Sequence, residues 1–124
     1  MSLSRESKQK FRQMLIDMRI ELLGQLKSRD QVNGNREAAG DEADLASTDM
    51  AAEYAWMLRH RLGQRLLLVD DALDAIENDE YGICEECEKT INEKRLLLMP
   101  FTRLCAPCQS EVERKAKLRG QIAA

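Results

Sequence analysis

Four cysteines carry the most specific chemical signal in this 124-residue chain. They form two C-x-x-C pairs, Cys84 with Cys87 and Cys105 with Cys108, seventeen residues apart, and the chain has no other cysteine. Each pair can present two thiolates to one tetrahedral ion, as in a structural zinc site. Because four sulfur ligands leave no open coordination position, we expect one zinc ion that holds structure and catalyses nothing.

Two disulfides or a redox C-x-x-C are the alternative uses of these cysteines. Disulfides need an oxidising compartment, and the N-terminal sequence has no apolar segment typical of a signal peptide, so we expect a cytoplasmic protein. A redox motif needs only one pair and a βαβ setting. Glycine often follows the second cysteine of a zinc knuckle, and Glu88 and Gln109 stand there instead. A positive φ at either position would cost about 1 kcal/mol.

The composition favours helices over a bulky globular core. Charged residues make up 33% of the chain and aromatic residues only 4%. The net charge of −3 does not favour general binding of polyanions, and residues 70–88 contain nine acidic and no basic side chains. No apolar run is long enough to span a bilayer. We therefore expect neither membrane insertion nor sequence-specific DNA binding.

Two long segments show the periodicity of amphipathic helices. The first runs from Ser4 to about Arg29, a connection follows at about 30–48, and a second helix ends with a glycine cap at Tyr81-Gly82. The apolar stripe of the second helix comprises Ala51, Ala55, Leu58, Leu62, Leu66, Val69, Leu73 and Ile76. The predicted fold is mainly α, a monomeric antiparallel coiled-coil hairpin over 1–80 followed by a zinc-finger module with a terminal helix over 81–124.

The connection between the two helices carries an acidic cluster near 34–47. Asp41 and Asp44 would lie where the chain enters the second helix, and capping of that helix is by itself a sufficient explanation of carboxylates there. Farther along, Tyr54 and Trp56 are expected to pack within the hairpin, and His60 is expected on the surface.

The chain resembles the DksA/TraR family of zinc-finger proteins that bind bacterial RNA polymerase. The matching features are Asp41-x-x-Asp44-x-Ala46, Asp79-Glu80-Tyr81-Gly82-x-Cys84-x-x-Cys87, Arg95-Leu96, Pro100 and Leu104-Cys105-x-x-Cys108. The resemblance implies a transcription regulator whose hairpin enters the polymerase secondary channel and alters the stability of open promoter complexes. Asp41 and Asp44 would act near the polymerase active site, and Ala46 would keep the tip slim.

The resemblance also implies contacts at the base of the hairpin. Arg61 and Arg95 correspond to family arginines that would anchor the regulator on polymerase, although a surface charge or a salt bridge explains each equally well. Three positions where the family's best-known members carry cations that help to bind guanosine tetraphosphate are neutral here, namely Leu68, Met99 and Gln109. Neutral side chains there argue against the usual response to this alarmone.

Two other functions fit the same elements. A zinc-containing coiled-coil adaptor would pair its apolar stripes between chains, and a zinc finger could bind nucleic acid directly. An enzyme is not expected, because the residues assemble no free base, nucleophile pair or open metal position.

Overall fold

The computed structural model describes residues 3–35 and 42–123, with side chains described over 3–28 and 48–120. Four helices follow one another, α1 (Arg5–Asn35), α2 (Glu42–Glu77), α3 (Glu93–Leu98) and α4 (Ala106–Ala123). Across the described residues the only β pairing is an isolated antiparallel bridge between Ile83 and Thr90. The mainly α fold class is therefore confirmed. None of the helices in these ranges is long and apolar enough to cross a membrane.

Both long helices continue into the segment that was predicted to be a connection. α1 ends at Asn35 rather than near Arg29, and α2 begins at Glu42 rather than after residue 48. The glycine at position 34 and its asparagine neighbours cost a helix at most about 1 kcal/mol each, which neighbouring turns can override. Only six residues separate the two helices, and so short a connection joins antiparallel neighbours.

The end of α2 is set by Asp79 and not by Gly82, so the predicted glycine cap was wrong. Asp79 has a φ of 58°. Its N–H donates to the carbonyl of Ile76 at 3.3 Å, and the N–H of Glu80 donates to Ala75 at 2.8 Å, which are the two hydrogen bonds of a Schellman motif. Aspartate tolerates this left-handed conformation better than most residues. Gly82, with a φ of 84°, belongs to the next turn, where its carbonyl accepts a hydrogen bond from Ile91.

The contacts divide the chain into two compact units. The first, here called the zinc unit, comprises Met1–Leu15 and Asp71–Ala124. Its core side chains include Phe11, Tyr81, Ile91, Leu96 and Phe101, all buried. The rings of Phe11 and Tyr81 lie 5.5 Å apart between centroids. The start of α1 therefore contributes to the core of the zinc unit.

Polar contacts fix Tyr81 and Asp79 within the zinc unit. The Tyr81 hydroxyl donates to the carbonyl of Pro100 at 2.9 Å, and burial raises the pKa of Tyr81. Lys8 forms a salt bridge with Asp79, and this hydrogen bond and charge lower the pKa of the Asp79 carboxyl. The residue that ends α2 is thereby held to the first helix.

The second unit, here called the helical unit, comprises Ile16–Asp70. Leu22 and Val69 are buried, and the Nε of Arg19 donates to Asp70 at 2.7 Å. The predicted stripe of α2 is half-buried or buried from Ala51 to Ile76.

Two aromatic side chains of the helical unit contradict the prediction that they pack within the hairpin. Tyr54 is 64% exposed and Trp56 is 65% exposed. The Trp56 ring stacks on His60, with centroids 5.3 Å apart and planes inclined by 11°. His60 is exposed, as predicted. Tyr54 and Trp56 lie off the stripe defined by Ala51, Ala55 and Leu58, and this position explains their exposure.

Candidate metal centre

The four cysteine sulfurs form a compact cluster in the zinc unit. Their Sγ atoms all lie within 4.8 Å of one another, and those of Cys87 and Cys105 are 3.7 Å apart. A tetrahedral zinc ion with Zn–S bonds of about 2.3 Å requires sulfurs about 3.8 Å apart. The donor set and its spacing therefore fit one zinc ion bound by Cys84, Cys87, Cys105 and Cys108.

The first pair of cysteines lies on a tight turn. The N–H of Cys84 donates to the carbonyl of Lys89 at 2.8 Å, and the N–H of Glu88 donates back to Cys84 at 2.9 Å. Glu88 follows the second cysteine with a φ of 62°. A side chain thus occupies a left-handed position that glycine adopts at no steric cost, as the sequence pattern indicated.

The second pair lies at the start of α4. Cys105 directly precedes the helix, and its carbonyl accepts the N–H of Gln109 at 2.9 Å, so the first helical turn holds Cys108 near Cys105. Pro107 is tolerated because backbone N–H groups in a first turn have no helical partner. Gln109 is helical and has no positive φ, so the strain considered for this position is absent.

The thiols differ in acidity before any metal binds. Desolvation acts to raise the pKa of Cys84, but hydrogen bonds from the backbone of Cys87, Cys105 and Glu86 outweigh it and lower the pKa to about 6. A hydrogen bond with Cys105 is the main cause that raises the pKa of Cys108 to about 12. Since zinc binds thiolates, its binding must displace protons from this cluster.

Arg103, which sequence analysis did not single out, ties the first knuckle to the end of α2. Its side chain is only 10% exposed, with Nη1 3.6 Å from Asp71 and Nη2 3.5 Å from Glu85. The N–H of Glu85 also donates to the Arg103 carbonyl at 3.0 Å. The signal was indirect: an acidic stretch over 70–88 without a basic residue needs cations from elsewhere in the chain.

Comparison with known proteins identifies the family. The profile of the prokaryotic dksA/traR C4-type zinc finger matches residues 79–114. The RNA polymerase-binding transcription factor DksA of Caulobacter vibrioides is 33% identical over 115 residues, which cover 87% of this chain and 77% of that protein. This chain belongs to the DksA/TraR family. The four cysteines are accordingly the ligands of a structural zinc ion.

Two further similarities cover different shares of the chain. An uncharacterized protein of Aquifex aeolicus is 52% identical over 48 residues, which cover 39% of this chain and 33% of that protein. The structure of transcription factor DksA2 from Pseudomonas aeruginosa superposes with a TM-score of 0.83 at 29% identity, covering 92% of this chain and 88% of that one. The fold likeness therefore extends well beyond the zinc finger.

The residues assigned from the family resemblance fall in different settings. Asp41 lies outside the described residues, and Asp44 and Ala46 lie in α2 with side chains outside the described part. Arg61 is exposed on α2. Arg95 is half-buried in α3, and its Nε donates to the carbonyl of Leu104 at 3.1 Å. Tip and anchoring roles stay predictions.

The three neutral positions named for the alarmone are accessible to different degrees. Leu68 is 44% exposed, and Met99 and Gln109 are half-buried. The amide of Gln109 donates to Glu113 at 3.2 Å. The argument against the usual alarmone response stays a prediction based on side-chain charge.

Proposed function

We propose that this chain is a non-enzymatic, cytoplasmic transcription regulator that binds bacterial RNA polymerase directly. The observation that carries this proposal is the match to a relative named as RNA polymerase-binding over 87% of the chain. A closed four-sulfur zinc site supports a structural role for the metal, because no coordination position is left for substrate.

The finer proposal concerns how the regulator acts. α1 has 31 residues and α2 has 36, so the helices are about 46 and 54 Å long at 1.5 Å per residue. Asp41 lies between the two helices in the sequence, and Asp44 lies in the first turn of α2. We propose that this end enters the polymerase secondary channel, where carboxylates can compete for cations or metal ions near the active site. The stability of open promoter complexes would change as a result.

Anchoring is assigned to Arg61 on α2 and Arg95 on α3. Arg61 is exposed and can contact polymerase without rearrangement. Arg95 already uses its Nε within the zinc unit, so its contribution to anchoring would come from the rest of the guanidinium. Zinc supports the role of Arg95 indirectly by holding the fold of the zinc unit.

The experiment separates binding from action at the tip. The wild type and the Asp41→Asn/Asp44→Asn double variant are compared for affinity to polymerase core enzyme and for their effect on open-complex lifetime. We expect similar affinities, with the lifetime effect lost in the variant, because the charges but not the shapes of the two side chains change.

A matched control removes two carboxylates elsewhere on α2. Asp49 and Glu53 are both exposed, so Asp49→Asn/Glu53→Gln makes the same change in net charge away from the proposed tip residues. We expect this variant to keep the lifetime effect. Equal loss in both variants would reduce the tip proposal to a general charge effect, and absence of binding by the wild type would refute polymerase as the partner.

A coiled-coil adaptor is the second candidate, and exposed apolar side chains of α2 favour it. Met50 is 74% exposed and Met57 is 46% exposed, alongside Tyr54 and Trp56. Such a surface is typical of helices that meet another chain. Sedimentation discriminates the two candidates, since the regulator is expected to be a monomer and an adaptor to self-associate with concentration.

A further inference from the structure

A surface cavity of about 570 Å³ lies within the zinc unit beside α3 and the start of α4. Its walls are predominantly apolar and carry three cationic side chains. The lining residues that matter are Lys89, Lys94, Arg95, Leu98, Met99 and Pro107. The cavity thus combines an apolar interior with positive charge.

The positive charge of the cavity comes from side chains without ion-pair partners in the described residues. In the described part of the chain no acidic side chain lines the cavity, although eight acidic residues fall within 71–88 of the same unit. Among the described residues, neither Lys89 nor Lys94 forms an ion pair. Two lysines without internal partners can therefore meet carboxylates from outside.

Arg95 adds to the positive electrostatic potential of the cavity from a half-buried position. Its Nε is bonded to the Leu104 carbonyl, while its Nη2 is buried and has no hydrogen-bond partner in the described part of the chain. A guanidinium always carries its charge, and a buried, partly unsatisfied one projects that charge more strongly than a solvated one. The wall of the cavity is therefore electropositive even between the two lysines.

The last turn of α3 places a large apolar surface beside the cavity. Leu98 is 83% exposed and Leu97 is 42% exposed. α3 ends there because Met99, which precedes Pro100, leaves the helical conformation with a φ of −136°, while its N–H still donates to the Arg95 carbonyl at 2.8 Å. The exposed Leu98 therefore extends the apolar surface of the cavity outward.

We infer that this cavity binds an acidic segment of a partner protein, whose bulky apolar side chain enters the cavity while flanking carboxylates pair with Lys89 and Lys94. The apolar walls require an apolar occupant, and the three cations require negative charge beside it. Duplex DNA supplies the negative charge but no apolar side chain to enter the cavity, and the acidic stretch of the same unit repels its backbone. The inference does not depend on which protein supplies the segment.

The test uses the full-length, zinc-loaded, ¹⁵N-labelled protein and three five-residue peptides. The probe has the sequence Asp-Glu-Phe-Glu-Asp with blocked ends; one control replaces Phe by Ala, and the other replaces all four acids by Lys. We expect only the first peptide to shift the amide resonances of Lys94, Leu98 and Met99. Equal binding of the alanine peptide, or shifts confined to other regions, would overturn the inference.

Variants then test the two components separately. The double variant Lys89→Glu/Lys94→Glu should lower the affinity for the probe peptide by about tenfold or more, because two exposed ion pairs become repulsive. Lys115→Glu/Lys117→Glu makes the same charge change on the exposed surface of α4 and should leave affinity within about twofold. Leu98→Ser should weaken binding without altering the zinc site.

One competitor distinguishes a peptide site from a general anion site. Inorganic pyrophosphate is titrated into the same labelled protein at the same ionic strength. We expect it to bind more weakly than the acidic phenylalanine peptide, because it cannot fill the apolar interior. If pyrophosphate binds as tightly and displaces the peptide, the site recognises charge alone and the inference is wrong.

Discussion

The zinc unit and the helical unit are built from the same two long helices but are stabilised differently. In the zinc unit, Phe11, Tyr81 and Leu96 come from three separate parts of the chain and are all essentially inaccessible to solvent. In the helical unit, burial follows one stripe on each helix, and large side chains such as Met50 and Trp56 remain exposed. Non-local packing specifies one structure closely, whereas a single stripe leaves surface available to a partner.

Among the changes predicted here, removal of the metal should have the largest effect on the difference in packing between the two units. Structural zinc contributes about 10–16 kcal/mol in small zinc domains, as much as the whole stability of a typical protein. Cys84→Ser, or chelation, should therefore collapse the dispersed resonances of Tyr81 and Leu96 while most helical circular dichroism persists. Re-addition of zinc to the chelated wild type is the control. A metal-free sample with unchanged Tyr81 and Leu96 resonances would contradict the prediction.

The buried tyrosine gives the next largest effect. Tyr81→Phe leaves the buried carbonyl of Pro100 without its donor, and we expect a loss of about 1–2 kcal/mol in the free energy of unfolding. Tyr54→Phe is the matched control, and at this exposed position the change should stay within about 0.5 kcal/mol. Urea denaturation of the zinc-loaded proteins measures both. Equal losses in the free energy of unfolding for the two variants would contradict the proposed difference in packing between the units.

A substitution at Glu88, which follows the first cysteine pair, should change the free energy of unfolding in the opposite direction. Glu88→Gly should raise the free energy of unfolding by about 1 kcal/mol, because glycine adopts its φ of 62° without steric cost. Gln109→Gly, at the equivalent position of the other knuckle but in a helix, should lower it by about 0.5–1 kcal/mol. Competition for zinc with a chromogenic chelator is a second readout. Two changes of the same sign would refute this assignment of strain.

The exposed pair of Lys8 and Asp79 should give the smallest effect, and it should depend on pH. Because Lys8 lowers the pKa of Asp79 in the folded protein, the pair stabilises above the unfolded pKa of about 3.9 and loses its contribution as pH falls through the lower, folded value. The difference in denaturation midpoint between wild type and Lys8→Met should therefore shrink from pH 7 to pH 3. A difference that grows on acidification would exclude this pair as its cause.

The sequence predicted the parts of this fold that depend on local information. The metal ligands follow from the identity and spacing of four cysteines, and the stripe of α2 follows from its periodicity. The salt bridge that holds Asp79 could not be predicted, because its partner Lys8 is 71 residues away in the sequence. Arg103 was missed for the same reason, since its contacts with Asp71 and Glu85 arise only in the folded chain.

The exposure of Trp56 could have been predicted from the residues themselves. Its position off the stripe of Ala51, Ala55 and Leu58 indicates exposure. The ends of α1 and α2 were misplaced because glycine and asparagine are only weak signals for a helix end. The roles of Asp41 and Asp44 depend on a partner and cannot be read from a single chain.

The turn at Asp79 makes the spacing between α2 and the first cysteine a fixed length. Its backbone closes the helix, and its side chain is held by Lys8, so a residue inserted between Glu77 and Cys84 would move the knuckle out of register with its own core. Whole heptads added to both long helices within 16–70 would leave that junction intact. Relatives with longer or shorter helices are therefore compatible with the same junction. Helix length is set within 16–70, whereas the geometry of the metal site is set by the turn at Asp79 and the residues after it.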